Sequence, residues 1–275
     1  PIKALERQGV QVTVISCTED GTLNPNDITA ALQPNTRLIA MLHGSNVLGT
    51  ILPLAEIGAI ARQHGITFLV DAAQTAGTIP IDMQSMGIDL LAFPGHKGLF
   101  GPHGTGGLVV GKAMELATWV EGGSGVESAL ETMPTELPAR LEAGTQNAVG
   151  IAGLLAGLHF IQEIGLETIR RHESDLCEIL ITELGKLPEV KILGALDPAQ
   201  RTAVVSVTVE GYIADQLAMV LDQAFDIATR AGLHCAPQAH RTAGTLESGA
   251  LRFSPGYFNT AEEIIQAVDA FRSII

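Results

Sequence analysis

Through its first half the chain alternates short, nearly continuous apolar runs with segments whose apolar residues recur at helical spacing. The runs are VQVTVIS, with its core at residues 11–16, TRLIAMLH (36–43), ITFLVDAA (66–73), DLLAFPG (89–95) and GTGGLVVG (104–111). Runs of this length, rich in β-branched residues, predict strands covered on both faces. Between the second and third lies LPLAEIGAIARQHG, where Leu54, Ile57 and Ala61 share a helical face and Gly65 stands as a C-terminal stop. Strand, helix and strand make a β-α-β unit, and hence a parallel sheet. In open α/β sheets the ligand sits beyond the carboxyl ends of the strands, and Asn46, Asp71, Gln74 and Lys97 all follow predicted strand ends.

From about Asn147 the pattern changes. A long apolar helix and a second one, ETIRRHESDLCEILITELGKL, precede short strands in VKILGA, TAVVSVTVE and GALRFSP, and the chain closes on the helix AEEIIQAVDAFRSII. The expected organisation is a large domain over residues 1–147 and a smaller α+β domain, with its connecting helix, over 148–275. Between them residues 122–140, with Gly122, Gly123, Gly125, Pro134 and Pro138, predict a long irregular loop, as an active-site flap or a dimer contact. The chain opens at Pro1 on the helix-like PIKALERQG, as though inside a domain.

Composition narrows the partners. Thirty acidic residues against 16 basic ones give a formal charge of −14, with no Lys/Arg cluster to neutralise a phosphate backbone or an anionic membrane, so no nucleic acid is expected. The most apolar stretch, residues 148–161, is interrupted by three glycines and His159, short of the roughly 20 apolar residues that span a bilayer, so no membrane is expected either. Three widely spaced cysteines, Cys17, Cys177 and Cys235, fit neither a disulfide framework nor a zinc ribbon, and a cytoplasmic setting without structural metal is expected.

Asp71 closes one strand and Lys97 follows the next, so neighbouring parallel strands bring a carboxylate and an amine to one crevice. Taken singly, each candidate has a plainer reading. Asp71 caps a loop, Lys97 and His96 occupy a turn, Gln74 and Asn46 are surface amides, and Thr145 is a helix N-cap. Their order along the chain argues otherwise. SNVLGT (45–50), VDAAQTAG (70–77), FPGHKGLFGPHGTGGL (93–108), EAGTQN (142–147) and RAGLHCAP (230–237) together resemble the class V aminotransferase family of pyridoxal-phosphate enzymes, fold type I, and within it the SUF-type cysteine desulfurases.

The resemblance covers essentially the whole chain and implies a mostly parallel sheet with helices on both faces. It implies pyridoxal 5′-phosphate as cofactor, held by Lys97 through a Schiff base, with Asp71 on the pyridine nitrogen, Gln74 on the phenolic oxygen and His96 on the phosphate. Asn46 matches a residue near the ring and the substrate carboxylate, and Thr145 one that reaches the partner subunit's cofactor phosphate, so a homodimer is implied. Arg252 in ALRFSPG matches the clamp for the substrate carboxylate, with Arg230 a second candidate. The substrate would be L-cysteine or selenocysteine. Cys235 would take its sulfur as a persulfide for an acceptor protein in iron–sulfur cluster assembly, leaving alanine.

In two respects the chain departs from the family. Pro94 stands where many members have a hydroxyl residue, and the N-terminal portion of family members that carries further phosphate and ring contacts is not among these 275 residues. Alternatives within the sequence are another class V reaction, aminotransferase or lyase, with Cys235 incidental, and a silent fragment or paralogue that only dimerises or docks a sulfur acceptor. Cys17 and Cys177 are expected to be packed apolar residues, and a zinc site from His234, Cys235 and His240 lacks a fourth ligand.

Overall fold

The computed structural model describes residues 2–111, 114–126 and 129–275. Its first sheet has the order β1 (Leu38–Leu42), β2 (Thr67–Asp71), β3 (Leu90–Pro94), β4 (Gly106–Val110), the first three parallel and β4 antiparallel to β3. Two short helices, α1 (Ile2–Glu6) and α2 (Pro25–Ala31), precede it, and α3 (Leu54–His64) connects β1 to β2. The period of two sends Ile39, Phe68, Val70 and Leu91 to the face that α3 covers with Leu54, Ile57 and Ala61. Phe68, Val70 and Ile57 are fully buried, each contributing roughly 1.5–3 kcal/mol of burial. Gly65 ends α3 in the left-handed conformation, φ 63°, as its position after the apolar stripe predicts.

One expected strand is absent. VQVTVIS forms no ladder, because among the described residues β1 pairs only with β2 and its other edge takes no neighbour. From this segment Ile15 and Cys17 pack on the core, whereas Val14 is 71% exposed. Cys17 is therefore half-buried, but not at a strand end.

The second half begins with α4 (Ala148–Ile164), which packs on Leu99 and Phe100 just beyond Lys97, and α5 (Leu166–Leu184). A second sheet, all antiparallel, follows in the order β5 (Val190–Leu193), β6 (Val205–Val209), β8 (Ala250–Phe253), β7 (Arg230–Gly232). Helices α6 (Ala214–Phe225) and α8 (Ala261–Ile274), with α5, bury one face of it through Leu176, Leu180, Leu217, Leu221, Val268 and Phe271 against Val205, Val207, Leu251 and Phe253. The short α7 (Pro237–Thr242) lies between β7 and β8. Alternation then leaves Ser206 and Arg252 on the opposite face, which looks toward the first sheet: the Ser206 hydroxyl donates to the Val47 carbonyl at 2.6 Å.

The two halves are stitched by Arg201, completely buried between them. Its guanidinium donates to the carbonyls of Leu48, Leu193, Ala195 and Val204, and among the described residues it forms no salt bridge. Gly49, φ 73°, lies so close to the Val204 carbonyl and the Arg201 guanidinium that a side chain there would collide with both.

Candidate active site

The carboxyl ends of β1, β2 and β3 gather the predicted residues. Asp71 is the last residue of β2 and pairs with Ala92 of β3, and Lys97 lies in the turn three residues beyond β3, where the Phe100 amide donates to its carbonyl at 2.9 Å. The turn after β2 is drawn onto the Lys97 turn by Gly77, φ 89°, whose Cα faces the Gly98 carbonyl so closely that no Cβ fits. Asp71 and Lys97 are both exposed. Partial desolvation, reinforced by Arg252, pulls the Lys97 ammonium below the usual lysine range, while Asp71 and Cys235 act in the opposite direction. One lysine thus feels a carboxylate from the first sheet and a guanidinium and a thiol from the second.

The Asp71 carboxylate accepts from the Ala73 amide through Oδ1 at 2.8 Å, so it caps its turn and keeps Oδ2 for a further partner. His96 is exposed, its ring centroid 4.7 Å from that of His103 in the GPHGTGG turn. Pro94 ends β3 with neither a hydroxyl nor an N–H to offer. Gln74 is half-buried in the turn after β2, its Cβ near Gly44. Asn46 is committed on both sides: its amide donates to the His234 carbonyl at 2.7 Å, and its own carbonyl accepts from Arg252 Nη1 at 2.9 Å. Thr145 is exposed and does not cap α4, which is instead capped by Asn147 accepting from the Gly150 amide.

Arg230 is the first residue of edge strand β7 and lies directly opposite Arg252 on β8. Two guanidiniums opposite each other on paired strands repel, and among the described residues neither forms a salt bridge. Burial, and then Arg230, push the Arg252 pKa downward, and its Nε is buried without a partner. Such a pair awaits an anion, and a carboxylate answers both the charge and the forked geometry. Cys235 follows on an exposed turn with its sulfur 3.7 Å from Arg230 Nη2. Cys177 is buried in α5 and its thiol is pushed up to about 11 by desolvation, whereas burial and Asp20 raise that of Cys17.

Sequence reasoning missed His43 and Arg201. His43, 4% exposed, joins the turn after β1 to the turn after β2 through Nδ1 and the Thr75 hydroxyl at 2.9 Å, and burial pushes its pKa down to about 4. No local signal marks either residue: His43 meets Thr75 on the next turn, and Arg201 ties the nearby carbonyls of Leu193, Ala195 and Val204 to that of Leu48, far back in the chain. A groove lined by Arg62, Thr67, Asp89 and Val110 lies at the opposite ends of β2 and β3 and holds none of the site residues.

A parallel-stranded sheet with lysine and carboxylate at adjacent strand ends, joined to an antiparallel α+β unit, is the architecture of pyridoxal-phosphate enzymes of fold type I. Residues 1–267 match the family Aminotransferase class-V, and the chain belongs to it. Similar proteins include a probable cysteine desulfurase of Methanothermobacter thermautotrophicus, 36% identical over 96% of this chain and 67% of the relative, and a cysteine desulfurase of Salmonella agona, 37% identical over 96% and 64%. The apo structure of the cysteine desulfurase from Thermococcus onnurineus superposes with a TM-score of 0.92 at 32% identity, covering 100% of this chain and 69% of that one. A cysteine desulfurase from Escherichia coli gives 0.83 at 28%, covering 91% and 62%. The chain thus spans about two thirds of the length of the curated relatives it matches.

Proposed function

We propose that this chain carries the reacting residues of a pyridoxal-phosphate-dependent cysteine desulfurase, converting L-cysteine to L-alanine with the sulfur taken up by Cys235. The observation that carries the reading is the meeting of both sheets beside the Lys97 turn: Asp71 ends β2 next to β3, Asn46 after β1 binds the His234 carbonyl and Arg252, Arg230 lies 3.7 Å from the Cys235 sulfur, and the charges of Asp71, Arg252 and Cys235 all act on Lys97. The residues fit the cofactor: an amine of lowered pKa to take its aldehyde, a carboxylate with Oδ2 free for the pyridine nitrogen, Gln74 for the phenolic oxygen and His96 for the phosphate. When bound, pyridoxal phosphate supplies an electron sink for the substrate α-carbon.

The residues then divide the work. Arg252, with Arg230 beside it, holds the substrate carboxylate. Asp71 keeps the pyridine nitrogen protonated through a charge-assisted bond, about 1.5–3 kcal/mol. Lys97 moves the proton at the substrate α-carbon. The Cys235 thiolate attacks the substrate sulfur: an S–S bond forms, the Cβ–S bond breaks, and its electron pair passes to carbon, where a proton completes alanine. The sulfur is oxidised to the persulfide level and the carbon reduced, so no external oxidant or reductant is needed.

A persulfide must be passed on, which calls for a thiol-bearing acceptor protein. A homodimer is supported by the exposed apolar residues Val149 (87%), Ile151 and Leu155 on α4, close in sequence to Thr145, and by Trp119 (86%). Incubation with pyridoxal phosphate and L-cysteine, followed by mass spectrometry, tests the reading: it requires alanine and a 32-dalton sulfur adduct on Cys235 (about 32, the mass of one sulfur atom). Keto-acid formation without that adduct would favour a transaminase.

A further inference from the structure

Two histidines outside this chemistry lie against the Cys235 turn. His234 and His240 are buried, 3% and 0% exposed, with ring centroids 5.6 Å apart and planes tilted by 33°. Each has one ring nitrogen engaged: His234 Nε2 is 3.1 Å from the Ala250 carbonyl, and His240 Nδ1 is 2.8 Å from the Thr245 hydroxyl. Each leaves the other nitrogen, His234 Nδ1 and His240 Nε2, buried without a partner. An unsatisfied buried polar atom costs about 1–3 kcal/mol, and two of them on neighbouring rings are both satisfied by one bridging water.

The partners dictate the tautomers. A carbonyl only accepts, so His234 carries its proton on Nε2 and its Nδ1 is a bare acceptor. A water that donates to His234 Nδ1 and accepts from His240 places the His240 proton on Nε2, and its Nδ1 then accepts from the Thr245 hydroxyl. An ordered chain results, from Thr245 through His240 and His234 to the Ala250 carbonyl on β8. Burial lowers the pKa of both rings, that of His234 to about 4, so both are neutral, as this order requires.

The object held is a strained backbone. His234 and Cys235 have φ of 50° and 61°, a region that costs an L-residue roughly 1–2 kcal/mol. We propose that the Thr245–His240–His234 chain is a positioning device that anchors the His234 ring to β8 and so keeps Cys235 left-handed, with its sulfur beside Arg230 and within reach of Lys97. Its catalytic meaning rests on the desulfurase reading, but the tautomer lock and its hold on the thiol do not.

Long-range proton–nitrogen correlation spectra of protein with 15N-labelled histidine test the lock directly. Both His234 and His240 are expected as Nε2–H tautomers at pH 7, and an Nδ1–H form or an imidazolium at either position would overturn the proposal. In folded His240→Leu, alkylation of Cys235 by iodoacetamide is expected to slow at least threefold, as the sulfur leaves Arg230. Alanine production should fall at least tenfold with pyridoxyl labelling of Lys97 retained, and His240→Gln, which can both donate and accept, should recover most of both. Unchanged alkylation in folded His240→Leu would equally overturn the proposal. If the parental protein makes no alanine, the desulfurase reading fails, while the tautomers and the alkylation rates still decide this one. If His240→Leu does not fold, the spectra decide it.

Discussion

The side-chain amide of Asn46 donates to the backbone carbonyl of His234 at 2.7 Å, fastening the turn after β1 to the residue that precedes Cys235. Because the Asn46 carbonyl also accepts from Arg252, this one residue couples the first sheet to both the carboxylate clamp and the thiol. Asn46→Ala removes only the first of these bonds. We expect it to lower global stability by about 1 kcal/mol, the usual worth of one such bond, and to slow alanine production by more than tenfold. Hydrogen exchange should quicken at residues 233–236 beyond the global change, and a uniform change across the protein would show that Asn46 does not hold the cysteine turn.

The facing pair Arg230 and Arg252 predicts a trade between stability and binding. Arg230→Gln relieves like-charge repulsion between paired strands, so the ligand-free protein should gain a few tenths of a kcal/mol, within the ~0.2–1 kcal/mol range of cross-strand pairs. The KM for cysteine should rise at the same time. Arg252→Lys should raise KM more, at least tenfold, because an ammonium cannot present two parallel N–H groups to a carboxylate. Denaturant midpoints and steady-state kinetics check both, and a lower midpoint in Arg230→Gln would contradict the repulsion.

Glu173 gives a prediction in pH. It lies on the buried stripe of α5 with Ile169, Leu176 and Cys177, and desolvation raises its pKa to about 7, with Arg170 opposing weakly. A carboxyl whose folded-state pKa is raised favours the folded state below the unfolded value, near 4.5, and loses that advantage as pH climbs through 7. Glu173→Gln removes the titration. The two proteins should be equally stable at pH 4, and the variant should pull ahead between pH 4.5 and 7, levelling at up to roughly 3 kcal/mol for a shift of this size. Urea midpoints at pH 4, 6 and 8 measure it, and a constant difference across the three would refute the buried titration.

What could be seen beforehand depended on how local each feature is. Asp71 and Lys97 were legible because near-continuous apolar runs locate strand ends, and parallel strands place those ends side by side. Arg252 was legible only through the resemblance of ALRFSPG to the family's strand, and β8 places it on the face opposite Leu251 and Phe253. Strand β7 was not, since three residues ending in Gly232 carry no periodicity and exist as a strand only beside β8. VQVTVIS shows the converse: it has the pattern of a strand, yet it forms no ladder although one edge of β1 is left open among the described residues. Arg201 and His43 were invisible for a third reason, because Arg201 is defined by the Leu48 carbonyl far back in the chain and His43 by the Thr75 hydroxyl.

In the proposed reaction Cys235 is the nucleophile, and its replacement separates the chemistry from the scaffold. In that reading cofactor and substrate attachment use Lys97, Asp71 and Arg252, so Cys235→Ala should still be labelled on Lys97 by pyridoxal phosphate and borohydride and should still change its absorbance on adding cysteine. Carbon–sulfur cleavage needs a nucleophile at the sulfur, so alanine release and the persulfide should be lost. Cys177→Ala is the control. That thiol is buried among Leu176, Leu180 and their neighbours and held protonated, its pKa pushed up to about 11 by burial, so its removal should leave turnover unchanged and lower stability by about 1–2 kcal/mol through a small cavity. The comparison is made by peptide mapping, alanine assay and urea denaturation on the three proteins in parallel. Alanine release by Cys235→Ala at the parental rate would remove the thiol from the mechanism and leave a class V enzyme whose exposed cysteine is incidental.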